Sequence, residues 1–208
     1  MKFIYLYLLD TMADWEVGHA IAELNSQRYF DKRRDWQVRT FSLDGKPVTT
    51  LGGVKIMPDL ALKEVKPDQA VILILPGADR WMEPAQAPVI DVVRKFLAAN
   101  TPVAAICGAT GALAEAGLLD SVRHTSNGRE YLKMFCPHYR GQALYQDELA
   151  VTDGNLITAG SSSPVEFASH IFRKLGAPSE ARLALWSGYF GQHSVPDLLK
   201  LLAATQPS

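Results

Sequence analysis

Three short apolar runs constrain this chain more than any other feature: Phe3–Leu9, Ala70–Leu75 and Val103–Ile106. Each is bounded by turn-forming residues and is rich in Val, Ile or aromatic side chains. Unbroken runs of that length predict strands buried on both faces, the signature of a parallel sheet covered on each side by helices. Trp36–Leu43 alternates apolar and polar residues and predicts a less buried strand. Between the runs, Trp15–Asn25 sets Trp15, Val17, Ile21 and Leu24 near one helical face, and Val89–Ala99 does the same with Val89, Val92, Val93, Phe96 and Leu97. Gly108–Ala116, rich in Ala and Leu, predicts a third helix. Strands alternating with helices give βαβ units with right-handed crossovers.

Further along, Ala150–Thr152 and Leu156–Ala159 flank Asp153-Gly154, a strong hairpin signal. A helix is predicted over Pro164–Leu175, with Ser163 as N-cap, Glu166 completing a capping box and Gly176 as the stop. The last thirty or so residues predict more helix, with Val195, Leu198, Leu199 and Leu202 on one face. No repeat, low-complexity tract or Pro/Gly/Ser-rich linker interrupts the pattern. The expected fold is a doubly wound α/β sandwich, a single domain over 1–208 with a helical extension over about 177–208.

Charge and cysteine content narrow the function. Twenty-one Lys and Arg against 22 Asp and Glu leave a net charge of −1, which argues against a general attraction to nucleic acid or anionic membrane. Lys32-Arg33-Arg34 is the only basic run and reads as a helix end or solvated loop. Cys107 and Cys136 are too few for a disulfide framework. The apolar run after Phe3 ends at Asp10, too short for a membrane helix, and no small-residue cleavage site follows. The expectation is a cytoplasmic protein with reduced thiols. No histidine or carboxylate cluster has metal-ligand spacing, and Leu51-Gly52-Gly53 is not a phosphate loop, so no metal or cofactor is expected.

The chemistry centres on Cys107. Val103 to Gly111 runs from a buried strand straight into a helix, which places the thiol on a sharp strand-to-helix turn, a nucleophile elbow. Ala105, Gly108 and Ala109 are the small neighbours such a turn needs. A helix N-terminus beside the sulfur favours a thiolate. The alternative is a small buried core thiol. Glu16 begins the first helix at the same carboxyl edge of the sheet, where it either serves the thiol or complements the helix dipole.

These segments resemble the ThiJ/PfpI superfamily of class I glutamine-amidotransferase-like domains, with a flavodoxin-like fold. Ala104-Ala105-Ile106-Cys107-Gly108-Ala109 carries the resemblance most sharply. Asp14-Trp15-Glu16, Leu75-Pro76-Gly77 and Thr158-Ala159-Gly160 followed by Glu166-Phe167-Ala168 support it, over roughly residues 2–176 in element order. Bacterial members described as intracellular proteases are the nearest in kind. The resemblance implies that a protonated Glu16 contacts the Cys107 sulfur. It implies that Gly77 and Gly108 supply backbone N–H groups to an oxyanion. It also implies that the loop holding His124 supplies an imidazole near the thiol, although a surface-loop histidine is the equal alternative.

Two departures stand out. Gly108 replaces the histidine that peptidase-like and glyoxalase-like members carry after the cysteine, and Gly77-Ala78 replaces a pair of glycines. Glutamine amidotransfer is not expected, because no His-x-Glu pair occurs late in the chain. His19, Trp81, Met82 and Cys136 carry weaker arguments; core or surface roles fit them better, and Cys136 as a resolving thiol has no spacing to support it. The expected function is a cysteine-dependent hydrolase-type enzyme acting on a small carbonyl, amide or related electrophile. The alternative is a redox or electrophile stress sensor, or chaperone-like protein, that works through oxidation of Cys107. The resemblance also implies a homodimer.

Overall fold

Four neighbouring strands form the centre because their side chains are apolar on both faces. The computed structural model describes residues 1–204. β1 (Lys2–Tyr7) leads through a turn into α1 (Gly18–Ser26) and then β2 (Trp36–Ser42). Short segments β3 (Val48–Thr49), β4 (Lys55–Ile56) and β5 (Leu60–Ala61) precede β6 (Ala70–Leu75), α2 (Ala87–Ala98), β7 (Val103–Ile106) and α3 (Gly108–Glu115). Then come α4 (Arg129–Phe135), β8 (Ala150–Asp153), β9 (Leu156–Ala159), α5 (Pro164–Leu175), α6 (Glu180–Gln192) and α7 (Val195–Ala203).

The main sheet has seven strands in the order β5-β2-β1-β6-β7-β9-β8, while β3 and β4 form a separate two-stranded ribbon. All pairings in the main sheet are parallel except β8 with β9, the expected Asp-Gly hairpin, in which Ala150 faces Ala159. Chain order reverses beside β1, so α1 and α5 pack together on one face while right-handed crossovers carry α2 and α3 over the other. The core runs from Ile4 in β1 to Leu201 in α7. This is the doubly wound, mostly parallel α/β fold that the apolar runs predict. No helix among the described residues is long and apolar enough to cross a membrane.

Three local expectations are corrected. The first helix starts at Gly18, not Trp15, because residues 13–16 form a tight turn in which the Glu16 N–H donates to the Ala13 carbonyl. Ser163 stands at the N-cap of α5, but its side chain makes no cap bond and the capping box does not form. Its backbone (φ −119°, ψ 44°) lies outside the extended region from which a cap hydroxyl reaches the first-turn amides. In α7, Leu201 is the residue that enters the core, while Val195, Leu199 and Leu202 are 58%, 62% and 44% exposed. The apolar stripe read from the sequence is thus the outer face of a peripheral helix. The expected extension continues to 208, and its last four positions lie outside the described residues. The stop at Gly176 holds, with φ 61°.

Candidate active site

The carboxyl ends of β1, β6 and β7 lie side by side in the sheet, and the loops that follow them meet over one point. Cys107 leaves β7 with φ 58° and ψ −124°, a strained conformation for a residue with a side chain. Such a backbone costs on the order of 1–3 kcal/mol and persists only where its surroundings fix it. Here the Cys107 N–H donates to the Ala159 carbonyl at 3.0 Å. Its own carbonyl accepts from the Thr110 N–H at 3.0 Å and from Thr110 Oγ1 at 2.6 Å. Ser126 Oγ lies 2.6 Å from the same Thr110 hydroxyl, which ties the elbow to the loop beyond α3.

Two glycines are required by space. A Cβ on Gly77 would stand 2.6 Å from Cys107 Cβ and 2.6 Å from Glu16 Oε2. A Cβ on Gly108 would stand 2.7 Å from the Ala78 carbonyl oxygen. The absence of histidine after the cysteine is therefore built into this site, because the loop at 76–78 lies directly on the start of α3. Ala78, by contrast, is extended (φ −162°, ψ 160°), a conformation open to any residue, so replacing a glycine there carries no backbone cost.

Glu16 is fully buried. Its Oε2 accepts the Gly77 N–H at 2.6 Å, and its Oε1 is enclosed with no well-formed hydrogen bond. Burial raises the Glu16 carboxyl above the usual range, while the Gly77 N–H and the Cys107 thiol pull the other way. The half-buried Cys107 thiol is pushed up to about 11, first by burial and then by the Glu16 charge. Asn127 and the Gly108 N–H, both directed at the sulfur, oppose that rise. Both shifts act against charge, so the two acids, facing each other out of water, titrate as a pair and resist carrying two negative charges at once.

The imidazole does not join them. His124 is fully buried, with Nδ1 at 2.7 Å from the Val122 carbonyl and Nε2 at 2.6 Å from the Tyr139 hydroxyl. Both ring nitrogens are thus engaged away from the sulfur, and burial lowers the His124 pKa. The residue of that loop that reaches Cys107 is Asn127, whose Nδ2 donates to Sγ at 3.4 Å. Its Oδ1 accepts the Ser161 N–H at 2.9 Å, and the Ser161 carbonyl in turn accepts the Trp15 indole N–H at 3.2 Å. The expected oxyanion role of Gly77 also changes, because its N–H is already committed to Glu16. Of the groups expected there, Cys107, Glu16, Gly77 and Gly108 come together and His124 stands apart.

The cleft over the sulfur encloses about 340 Å³. Trp15, Leu51, Met82, Tyr131 and Phe135 wall it, and Asp79 lies on its edge. Trp81 also lines it but is buried, its indole N–H donating to the Pro76 carbonyl at 2.7 Å, so it braces the loop as well. Cys136 is buried with its thiol on the Gly111 carbonyl at 3.4 Å, a core position.

Comparison with known proteins agrees with this fold. The family model described as DJ-1/PfpI matches residues 2–174. A Bacillus subtilis protein named "Uncharacterized protease YoaZ" is 42% identical over 184 residues, 88% of each chain. The crystal structure of a thiJ/pfpI family protein from Bacillus anthracis superposes with a TM-score of 0.92 at 40% identity, covering 98% of this chain and 96% of that one. A DJ-1 superfamily protein from Agrobacterium tumefaciens, Atu0886, gives 0.80 at 33% identity, over 93% of this chain and 100% of its own. With fold, extent of match and sequence identity in agreement, the chain belongs to the DJ-1/PfpI family.

Proposed function

We propose that the protein is a cysteine-dependent hydrolase-type enzyme acting on a small carbonyl, amide or ester. The observation that carries this reading is the buried Glu16 carboxyl packed against a half-buried thiol on a strained elbow. A carboxyl group kept from water with one oxygen unpaired is a proton acceptor waiting for a donor. As Cys107 Sγ attacks the carbonyl carbon, an S–C bond forms, the C=O π electrons move to oxygen and the thiol proton passes to Glu16. The Gly108 N–H and Asn127 Nδ2, already turned toward the sulfur, stabilise the oxyanion. With an amide or ester, collapse expels the amine or alcohol, which takes the proton back from Glu16; a simple aldehyde or ketone goes no further than the reversible thiohemiacetal. Water then cleaves the thioester and restores the thiol. The Gly77 N–H holds Glu16 in place, and His124 positions the loop that carries Asn127. The name of the Bacillus subtilis relative supports hydrolytic chemistry.

The alternative, a sensor oxidised at Cys107, calls for a thiolate at rest. Burial beside Glu16 works against one, whereas catalysis with a paired base does not need it. The test is intact-protein mass spectrometry of the Cys136→Ser protein mixed with p-nitrophenyl acetate. The expected result is a burst of one nitrophenolate per chain with acetyl on Cys107, lost in Cys107→Ala and slowed in Glu16→Gln. Ester hydrolysis that survives Cys107→Ala unchanged sinks the reading.

A further inference from the structure

The cleft has a charge pattern that its size and apolar walls do not reveal. Among the described residues, none that lines it is Lys, Arg or His. Its two acidic residues are Glu16, fully buried, and Asp79. Asp79 is close enough to bear on the hydroxyl of Tyr131 inside the cleft. The nearby cations are held elsewhere. Arg80 turns to Asp10 at 3.3 Å and Glu83 at 3.4 Å. Arg129 is held by Asp147 at 3.0 Å and by the Tyr145 carbonyl at 3.0 Å. The N-terminus of α3 contributes about half a positive charge, and its Gly108 N–H is already on the sulfur. With two carboxyls and, among the described residues, no cationic side chain lining the cleft, that partial charge is the only positive feature offered to an anion there.

The remaining polar groups are neutral. Asn127 and Tyr131 offer an amide and a phenol that stay uncharged over the physiological range. Around them, Trp15, Leu51, Met82 and Phe135 are 52%, 52%, 48% and 53% exposed, an unusual concentration of large apolar side chains at one opening. A carboxylate-bearing substrate would find two acidic side chains here and no cationic one. A flat apolar group would find aromatic and aliphatic side chains lining the cleft that holds the thiol.

We infer that the Cys107 cleft selects uncharged electrophiles bearing an aromatic or similarly large apolar group next to the reacting carbon, and refuses those bearing a carboxylate. This rests on the proposed nucleophilic role of Cys107, but selection can be read without turnover. In the Cys136→Ser protein, alkylation of Cys107 by iodoacetamide, iodoacetate and 2-bromoacetophenone forms an S–C bond and expels halide, with the thiol proton passing to Glu16 or solvent. Rates are measured by mass spectrometry at one pH and divided by those of 2-mercaptoethanol. The expected iodoacetate-to-iodoacetamide ratio falls at least about tenfold below the reference thiol, and the 2-bromoacetophenone ratio rises several-fold above it. Asp79→Asn should recover part of the iodoacetate rate, and Phe135→Ala should lower the 2-bromoacetophenone rate.

An iodoacetate ratio equal to or above the reference overturns the inference, as does failure of all three reagents to reach Cys107. Selective labelling with no ester turnover leaves the inference standing while the hydrolase reading fails. Turnover with unselective labelling does the reverse.

Discussion

At the scale of single residues, the position of one proton decides how the site works. The Glu16 carboxyl is, after burial, a cause that pushes the Cys107 thiol up to about 11, and Glu16→Gln removes it. The expected outcome is a lower Cys107 pKa, read from alkylation rate against pH in the Cys136→Ser background. A rise instead would put the resting proton on Glu16, donating to a thiolate. Asn127→Ala removes a side-chain donor to the sulfur and should cost on the order of 10²-fold in the acylation rate, with native stability nearly unchanged. Gly77→Ala should lower stability by about 1–3 kcal/mol and suppress acylation as well, because its Cβ would wedge Cys107 from Glu16. Thermal unfolding and burst amplitude together check it, and a fully active Gly77→Ala would show that the contact is not needed. Part of this site was legible beforehand: Cys107 sits where a buried strand hands over to a helix at the carboxyl edge of the sheet, while the contact of Glu16 with the sulfur and the place of Gly77 came from the family resemblance. Asn127 was not legible, because a loop asparagine has no periodicity and its role depends on a long-range bond to Ser161. His124 was expected near the thiol through the family resemblance, yet its partner, Tyr139, is set by the fold.

At the scale of elements, the buried strands were readable because unbroken apolar runs leave little choice of environment, and the β8–β9 hairpin because Asp-Gly favours one turn. Boundaries and outer helices were less so. α1 and α7 show apolar periodicity, but which stripe faces inward depends on neighbours the local pattern does not name. The docking of α6 illustrates this. Trp186 is 1% exposed, its ring 5.1 Å from Phe172 in α5 and 5.8 Å from His19 in α1. Three helices therefore converge on one side chain, while its indole N–H is buried without a partner. Trp186→Ala should cost about 3–5 kcal/mol through lost burial and a cavity. Trp186→Phe keeps most of the ring contact and removes the unpaired donor, so its cost should be far smaller. Urea unfolding of both variants checks the difference. Equal losses would mean that the indole N–H finds an acceptor in solution.

At the scale of the whole molecule, the sheet sets the edge that carries the candidate site and its acid sensitivity by the same means, burial of groups that would rather be in water. His19, His124 and His170 all have pKa values lowered by burial, and His170 shares a 2.8 Å hydrogen bond with Thr152. For each, the folded protein holds neutral imidazole below the pH at which the unfolded chain takes up a proton. The unfolded state therefore binds more protons as pH falls past about 6.5, and stability falls with it. Their contribution is full above that pH and is lost on acidification. Glu16 acts in the opposite sense, since its raised pKa lets the folded protein take up a proton before the unfolded chain does. One carboxyl opposes three imidazoles, so the histidines should dominate between pH 7 and 5. Asp14, Asp31 and Glu115 have lowered values, and their contribution is lost only at more acid pH. The expected result is a urea midpoint that falls steadily from pH 7.5 to pH 5, with a shallower fall in His170→Gln, whose amide can still meet Thr152 but cannot titrate. A midpoint that holds or rises over that range would mean that the carboxyls outweigh the buried imidazoles. Glu16→Gln would then turn the flat profile into a falling one by removing the opposing group.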